Sequence, residues 1–393
     1  MSVILPRIAE LSRASSADGW LLYDFRGINP LAADILKLGK AMLSRRWFLY
    51  VPAHGTPTLI HHRIEMGSWS NLLVSETLNR RVYSSHEELD ALLADTLRGA
   101  ETVLMEYSPR GSVPYVSRVD AGTVERVREC GVTVISSADA LQHFTVWTPL
   151  DLQMHRKAVA GCIAAKDAAF QFIHQRLRAG QTTTELEVQA LVERVIKDHG
   201  LENDHPAIVG FAGHAGDPHY APTADSNRTL EAGMCVLIDL WAGVDGHPMA
   251  DITWMGYAGE PSAEFLEIWR VVAAARDAAI AALKPGLEGW VADKAGRDLI
   301  EAAGYGADFT HRIGHSLGTG ITHGNGANLD NLETRDTRRL LPLTAVTVEP
   351  GVYLSHLGVR TEVDVLILED GIEVTTPIQL EPYVLGLEVV RGG

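Results

Sequence analysis

Five side chains able to bind a cation stand in apolar or glycine-rich surroundings of this chain: Asp239, Asp251, His315, Glu349 and Glu362. Glu349 and Glu362 lie in "VTVEPGVYLSHLGVRTEVDVLIL" (346–368), where apolar strand-like runs would be safer with a hydrophobic residue at each place. An ionised carboxylate in a buried strand is costly unless something positive compensates it, and Arg360, on the same strand face as Glu362 at the two-residue period, is the nearest candidate. One arginine does not neutralise the whole set. Asp239 and Asp251 sit in a second apolar pair of strands, "VLIDLWAGVDGHPMADITW" (236–254), and His315 in "HRIGHSLGTGITHGNG" (311–326). Alone, the two aspartates would read as turn-flanking residues of an ordinary hairpin. Together the five form a mostly oxygen-donating set with one imidazole, which suits two hard or borderline divalent ions sharing carboxylate bridges.

The order of these residues, with "PHY" (218–220), "GHSLG" (314–318), "VEPGVY" (348–353) and "GVRTEVDVLI" (358–367), resembles the pita-bread metallopeptidases. Within them it is most similar to the branch of proline dipeptidases (prolidases) and aminopeptidase P, over roughly residues 150–393. The resemblance implies that Asp239 holds one metal, His315 and Glu349 the other, and that Asp251 and Glu362 bridge both. It implies catalytic roles for His219 and His323, which contact the substrate and stabilise the developing oxyanion, and for Glu349 as general base and proton shuttle. His214 and His311 are expected to support rather than react. Two departures from the family pattern stand out. The Asp239–Asp251 spacing is one residue longer, to be absorbed by a bulge or a longer loop, and His323 follows His315 by eight residues rather than seven, with Gly324 where a glutamate is usual.

The implied reaction is hydrolysis of the Xaa-Pro bond, of dipeptides first and of longer peptides (aminopeptidase P) as the alternative. Two metals lower the pKa of a shared water and clamp the amide oxygen as charge builds on it. The cofactor expected is manganese, with cobalt, zinc and iron accepted by the same donors. A dipeptidase must place a cation where the substrate's carboxylate falls; Arg360 and Arg46 are the substrate-binding candidates, and the plain alternative for Arg45-Arg46 is a surface pair. A creatinase-like C–N hydrolase or a non-catalytic binding module on the same fold would be expected to lack several of the five ligands. Methionine aminopeptidase is disfavoured by the long N-terminal region.

These residues need rigid elements to hold them. Strand signals at 20–24, 46–52, 57–62, 102–108 and 132–136, with helical spacing between them, give an α/β N-terminal domain over 1–147 that resembles the creatinase/prolidase N-terminal domain. "TVWTPLDLQ" (145–153) is the candidate linker. Residues 151–393 form the second domain, for which the resemblance implies an α+β pita-bread catalytic fold with an internal pseudo-two-fold repeat. Each half reads helix, glycine stop, helix, strands: first over 151–199, with Thr184 and Glu187 as a capping box, and again over 262–306.

A formal net charge of −16 with 34 basic residues argues against nucleic acid or an anionic membrane as partner and favours a small peptide with proline in second place. Cys130, Cys162 and Cys235 are widely spaced in apolar segments and read as reduced, buried thiols. The N-terminus lacks a signal-peptide pattern and no apolar run reaches membrane-spanning length, so a cytoplasmic protein is expected, as a homodimer by the resemblance.

Overall fold

The computed structural model describes residues 4–39, 41 and 43–387. The chain divides into two compact units, one up to Phe144 and one from Thr145 onward.

The first unit runs α1 (Ile4–Ala14), β1 (Gly19–Asp24), α2 (Pro30–Ile35), β2 (Trp47–Pro52), β3 (Thr58–His62), α3 (Met66–Ser70), β4 (Asn79–Tyr83), α4 (His86–Thr96), β5 (Thr102–Met105), α5 (Ala121–Glu129), β6 (Thr133–Ser136) and α6 (Ala138–Leu141). Its six strands form one mixed sheet in the order β4-β3-β2-β1-β5-β6. The central strand β1 is buried at every position, because both its faces are covered. Trp20 and Leu22 pack with Leu5 and Ile8 of α1, whereas Leu21 and Tyr23 pack on the other face with Leu89 and Leu93 of α4. The strands expected from the apolar runs are present. The short α2 and the polar β4, "NRRVY", are found by tertiary pairing and carry little periodic signal.

The second unit begins with α7 (Pro149–Arg178) and α8 (Glu185–Asp198), followed by β7 (Ile208–Phe211), β8 (Cys235–Ala242) and β9 (Ala250–Ala258). The segment read as a linker is largely helix. Thr148 caps α7 with a Thr148–Asp151 capping box, and Pro149 is its first residue, where a missing N–H costs nothing. The proline marks a start, not a break. Thr184 and Glu187 cap α8 as their spacing foretold. The second half repeats the phrase with α9 (Ala263–Ala282) and α10 (Gly289–Ala302), then β10 (Ala345–Val348), β11 (Gly351–Tyr353), β12 (Gly358–Arg360), β13 (Val363–Leu368), β14 (Gly371–Val374) and β15 (Tyr383–Leu385).

In each half helices cover one face of a sheet. Val236, Ile238 and Leu240 of β8 and Ile252 of β9 pack with Ala158, Cys162 and Phe170 of α7. Val346, Val348, Val363 and Val365 pack with Phe265, Ile268 and Val272 of α9. The two-residue period then sends Asp239, Trp241, Asp251 and Thr253 to the opposite face of the first sheet. The β8–β9 ladder runs without interruption from Cys235↔Tyr257 to Ala242↔Ala250. The extra residue between the aspartates therefore lies in the connecting loop, and no bulge is needed.

Candidate metal centre

Register puts Asp239 opposite Thr253 and Trp241 opposite Asp251, so the two aspartates lie on one face, a diagonal step apart. Glu362 follows β12 and reaches the same place, its backbone N–H donating to the Thr253 carbonyl at 3.2 Å. His315 is carried by a segment bound to β10: Thr347 N–H donates to the His315 carbonyl at 2.8 Å and His315 N–H to Thr347 Oγ1 at 3.0 Å. Gly314 permits this approach, since a Cβ there would stand 2.0 Å from the Thr347 carbonyl oxygen. Glu349 ends the β10 segment.

These elements bring all five sequence-derived ligands to one cleft of about 360 Å³, which His219, His323 and Arg360 also line. His315 Nε2 stands 3.6 Å from Asp251 Oδ2 and 3.5 Å from Glu349 Oε1. Donor atoms of Asp251, His315 and Glu362 all lie within 4.8 Å of one another. His315 Nδ1 is 3.1 Å from the Ser316 carbonyl, which can only accept, so Nδ1 carries the hydrogen and Nε2 is bare toward the carboxylates.

The electrostatics explain why this cluster suits a cation. Burial pushes the pKa of Asp239, Asp251 and Glu362 up, and the neighbouring carboxylates push Asp251 and Glu362 further. Burial likewise raises Glu349, to about 7. Burial, with the His323 and Arg312 charges, holds His315 well below the usual imidazole range, in the neutral form a metal requires. Arg360 offsets part of the negative charge, but through Asp239, whose Oδ2 lies 2.5 Å from Nη2. It does not contact Glu362 directly. Thr253 stands between them, accepting from Arg360 Nε at 3.0 Å and donating to Glu362 Oε2 at 2.7 Å. Asp251 Oδ1 is buried with no hydrogen-bond partner among the described residues. An orphaned carboxylate oxygen amid four acids and a neutral imidazole fits divalent metal.

The remaining expectations fall as follows. His219 lies exposed on the loop after β7, and His323 stands with its ring 4.2 Å from that of His315. The longer His315–His323 spacing is taken up by a turn in which Gly318 N–H donates to the Thr322 carbonyl and Gly320 adopts φ 73°. Gly324 N–H donates to the Ser316 carbonyl at 2.7 Å, and a Cβ at 324 would come within 2.8 Å of the Leu317 carbonyl oxygen. This backbone approach excludes the usual glutamate. His214 is held by Glu185 at 2.9 Å, and His311 by Tyr353 Oη at 2.6 Å. His311 also lines a side extension of the cleft with Arg312 and Glu333. Arg46 belongs to the first unit, exposed, its guanidinium 5.1 Å from the centre of the Phe25 ring.

Several supporting residues were not singled out in the sequence. Thr253 and Thr347 lie two residues from Asp251 and Glu349, so the strand period could have flagged them. Asp364, two residues after Glu362, accepts the Asp251 backbone N–H at 3.0 Å. Trp241, two residues after Asp239, carried the same mark, whereas Asp204 in the cleft wall left none, being in an irregular segment.

A fold of this kind, with acids on or just beyond the strands of two helix-backed halves, defines a pita-bread scaffold. Residues 153–369 match the family model of metallopeptidase family M24, and the chain belongs to that family. An uncharacterized peptidase of Staphylococcus epidermidis is 36% identical over 194 residues, 49% of this chain and 53% of the relative. One of Staphylococcus aureus is 35% identical over 198 residues, 50% and 54% of the two chains. The chain thus spans about half the length of the curated relatives it matches. Among solved structures it is similar to the dipeptidase PepE from Mycobacterium ulcerans (TM-score 0.74, 22% identity, 97% of each chain). It is also similar to the prolidase from Pyrococcus horikoshii (0.63, 22%, 97% and 99%). The X-prolyl aminopeptidase from Caenorhabditis elegans matches at 0.71 and 18% identity, over 96% of this chain and 62% of that one.

Proposed function

We propose that this chain is an Xaa-Pro dipeptidase whose catalytic domain is the unit from Thr145 onward. The observation that carries the reading is the convergence of Asp239, Asp251, Glu349, Glu362 and His315, from both halves of the repeat, on one cleft. Asp239, Asp251, His315, Glu349 and Glu362 would hold divalent metal. When bound, the metal would lower the pKa of water and polarise the amide carbonyl. Manganese is the expected metal.

The chain's own residues do the rest. Glu349, facing the cleft from the end of the β10 segment, takes a proton from the attacking water and delivers it to the leaving nitrogen. His219 and His323 donate to the oxygen on which charge develops. Arg360 engages Asp239, Thr253, the Tyr353 hydroxyl and the Pro218 carbonyl through Nε, Nη1 and Nη2, which makes it a brace between Asp239 and the His219 loop. Arg312, which lines the side extension of the cleft with Glu333, supports the dipeptidase reading, because a dipeptide's carboxylate falls one residue past the cut and calls for a cation there. Aminopeptidase P is the second reading, favoured by the likeness to an X-prolyl aminopeptidase. A homodimer in the cytoplasm completes the proposal; no helix among the described residues is long and apolar enough to cross a membrane.

The test is hydrolysis of an Xaa-Pro dipeptide and an Xaa-Pro-Xaa tripeptide by metal-stripped protein before and after manganese is added. Metal-dependent cleavage of the dipeptide alone is expected. Cleavage of the tripeptide moves the assignment to aminopeptidase P. Failure on both with every divalent metal overturns it.

A further inference from the structure

The cleft has two unlike ends. On one side Arg312 lines the side extension, with Glu333 and the braced Arg360. On the other the wall is Trp241, Ile208, Ile321 and the carboxylate of Asp204, whose side chain is 28% exposed. A zwitterionic dipeptide would lie with its carboxylate toward the arginines and its first residue toward Asp204.

Asp204 is built to present charge there. Its Oδ1 accepts from Trp241 Nε1 at 2.5 Å and from Thr322 Oγ1 at 3.0 Å, which fixes the side chain between β8 and the turn before His323. Among the described residues its Oδ2 keeps only a long 3.5 Å contact from Thr322 N–H, which leaves acceptor capacity on that oxygen. The hydrogen bonds from Trp241 and Thr322 outweigh burial and hold the carboxyl below the usual range. Trp241 stands two residues beyond Asp239 on the same strand face, roughly 7 Å along the strand, and its indole touches Asp204. The free carboxylate oxygen is therefore about one long side chain away from the ligand cluster, past an aromatic surface.

Resting on the Xaa-Pro reading above, we propose that Asp204 is a specificity-determining residue that selects a lysine or arginine side chain in the residue before the cleaved bond. The aliphatic stem would lie along Trp241 and Ile208, with the cationic head at Asp204 Oδ2. His205 is largely exposed, with Nδ1 3.7 Å from Oδ1, and all substrates are compared at one fixed pH.

The experiment compares kcat/KM for Lys-Pro, Arg-Pro, Leu-Pro and Glu-Pro with manganese-loaded wild type and Asp204→Asn. Asparagine keeps an oxygen for Trp241 and Thr322 and replaces the free oxygen by an uncharged amide. The wild-type Lys-Pro to Leu-Pro ratio should fall about tenfold in Asp204→Asn, one charge-assisted hydrogen bond, and the Glu-Pro to Leu-Pro ratio should rise. An equal loss on all substrates would assign Asp204 to the peptide's ammonium group or to a purely structural latch, and unchanged ratios would leave it to solvent; either overturns the proposal. Calorimetric binding of free lysine, leucine and glutamate to the same proteins separates this proposal from the reading beneath it. Lysine favoured over leucine, with the preference lost in Asp204→Asn, upholds the subsite even if no Xaa-Pro bond is cut. No lysine preference with active enzyme rejects the subsite and leaves the peptidase reading standing.

Discussion

Replacing Thr253 by valine tests whether the metal centre depends on residues that cannot themselves bind metal. Thr253 is fully buried and its hydroxyl makes two hydrogen bonds to charged groups, one from Arg360 and one to Glu362. Valine has the same shape but leaves Glu362 Oε2 and Arg360 Nε without their partner. Each bond to a charged group is worth roughly 1.5–3 kcal/mol, and part of the loss is recovered if Arg360 relaxes toward Glu362. The carboxylate then loses its fixed orientation, and removal of an orienting partner of this kind costs about 10- to 100-fold in metal affinity, roughly 1.4–2.8 kcal/mol. Competition titration of manganese against a chromophoric chelator would measure this on wild type, Thr253→Val and Thr253→Ser. Serine restores the hydroxyl and should recover most of the affinity. Valine binding metal as tightly as wild type would refute the orienting role. Serine as weak as valine would shift the explanation to packing of the lost methyl.

Further outcomes follow from other sites. In the first unit Glu106 is fully buried, and burial pushes its carboxyl up to about 7 against the donors Trp20, Asn29 and Ser137. Between the ordinary value of about 4.5 and this one the folded state holds a proton the unfolded chain has lost, so stability is highest below that window and falls as pH rises through it, by about 3 kcal/mol. Urea unfolding at pH 5 and 8 should show this slope for wild type and not for Glu106→Gln, whose amide meets the Asn29 donor and adds a pH-independent cost. His219→Ala should lower kcat by about 100-fold while leaving manganese affinity within about threefold, by stopped-flow assay and titration. Gly324→Ala should lower the melting temperature by several degrees, for a cost of about 1–3 kcal/mol, because its Cβ would come within 2.8 Å of the Leu317 carbonyl oxygen; an unchanged melting temperature would show that the turn relaxes freely.

Much of the centre was legible before any coordinates. Asp239 and Asp251 interrupt apolar strands, whereas Glu349 and Glu362, expected within strands, lie just past the ends of β10 and β12; buried acids in such places are tolerated only with a partner, so residue type and local pattern together marked a candidate cation site. Capping residues Thr184 and Glu187 act within one helical turn, and the sequence alone determined that helix start. Pro149 shows the limit of the same local reasoning: proline is compatible with a break or with a first turn, and the Thr148–Asp151 box beside it decides for the turn. What only tertiary structure decided is pairing across long separations. Thr253 links Arg360 to Glu362 over 107 and 109 residues, and Trp241 meets Asp204 and Thr322 meets the same carboxylate because a strand and a distant turn converge. Local propensity and spacing carry no term for such contacts; sheet register and loop closure create them, and with them the orientation of the ligands and the charge at each end of the cleft.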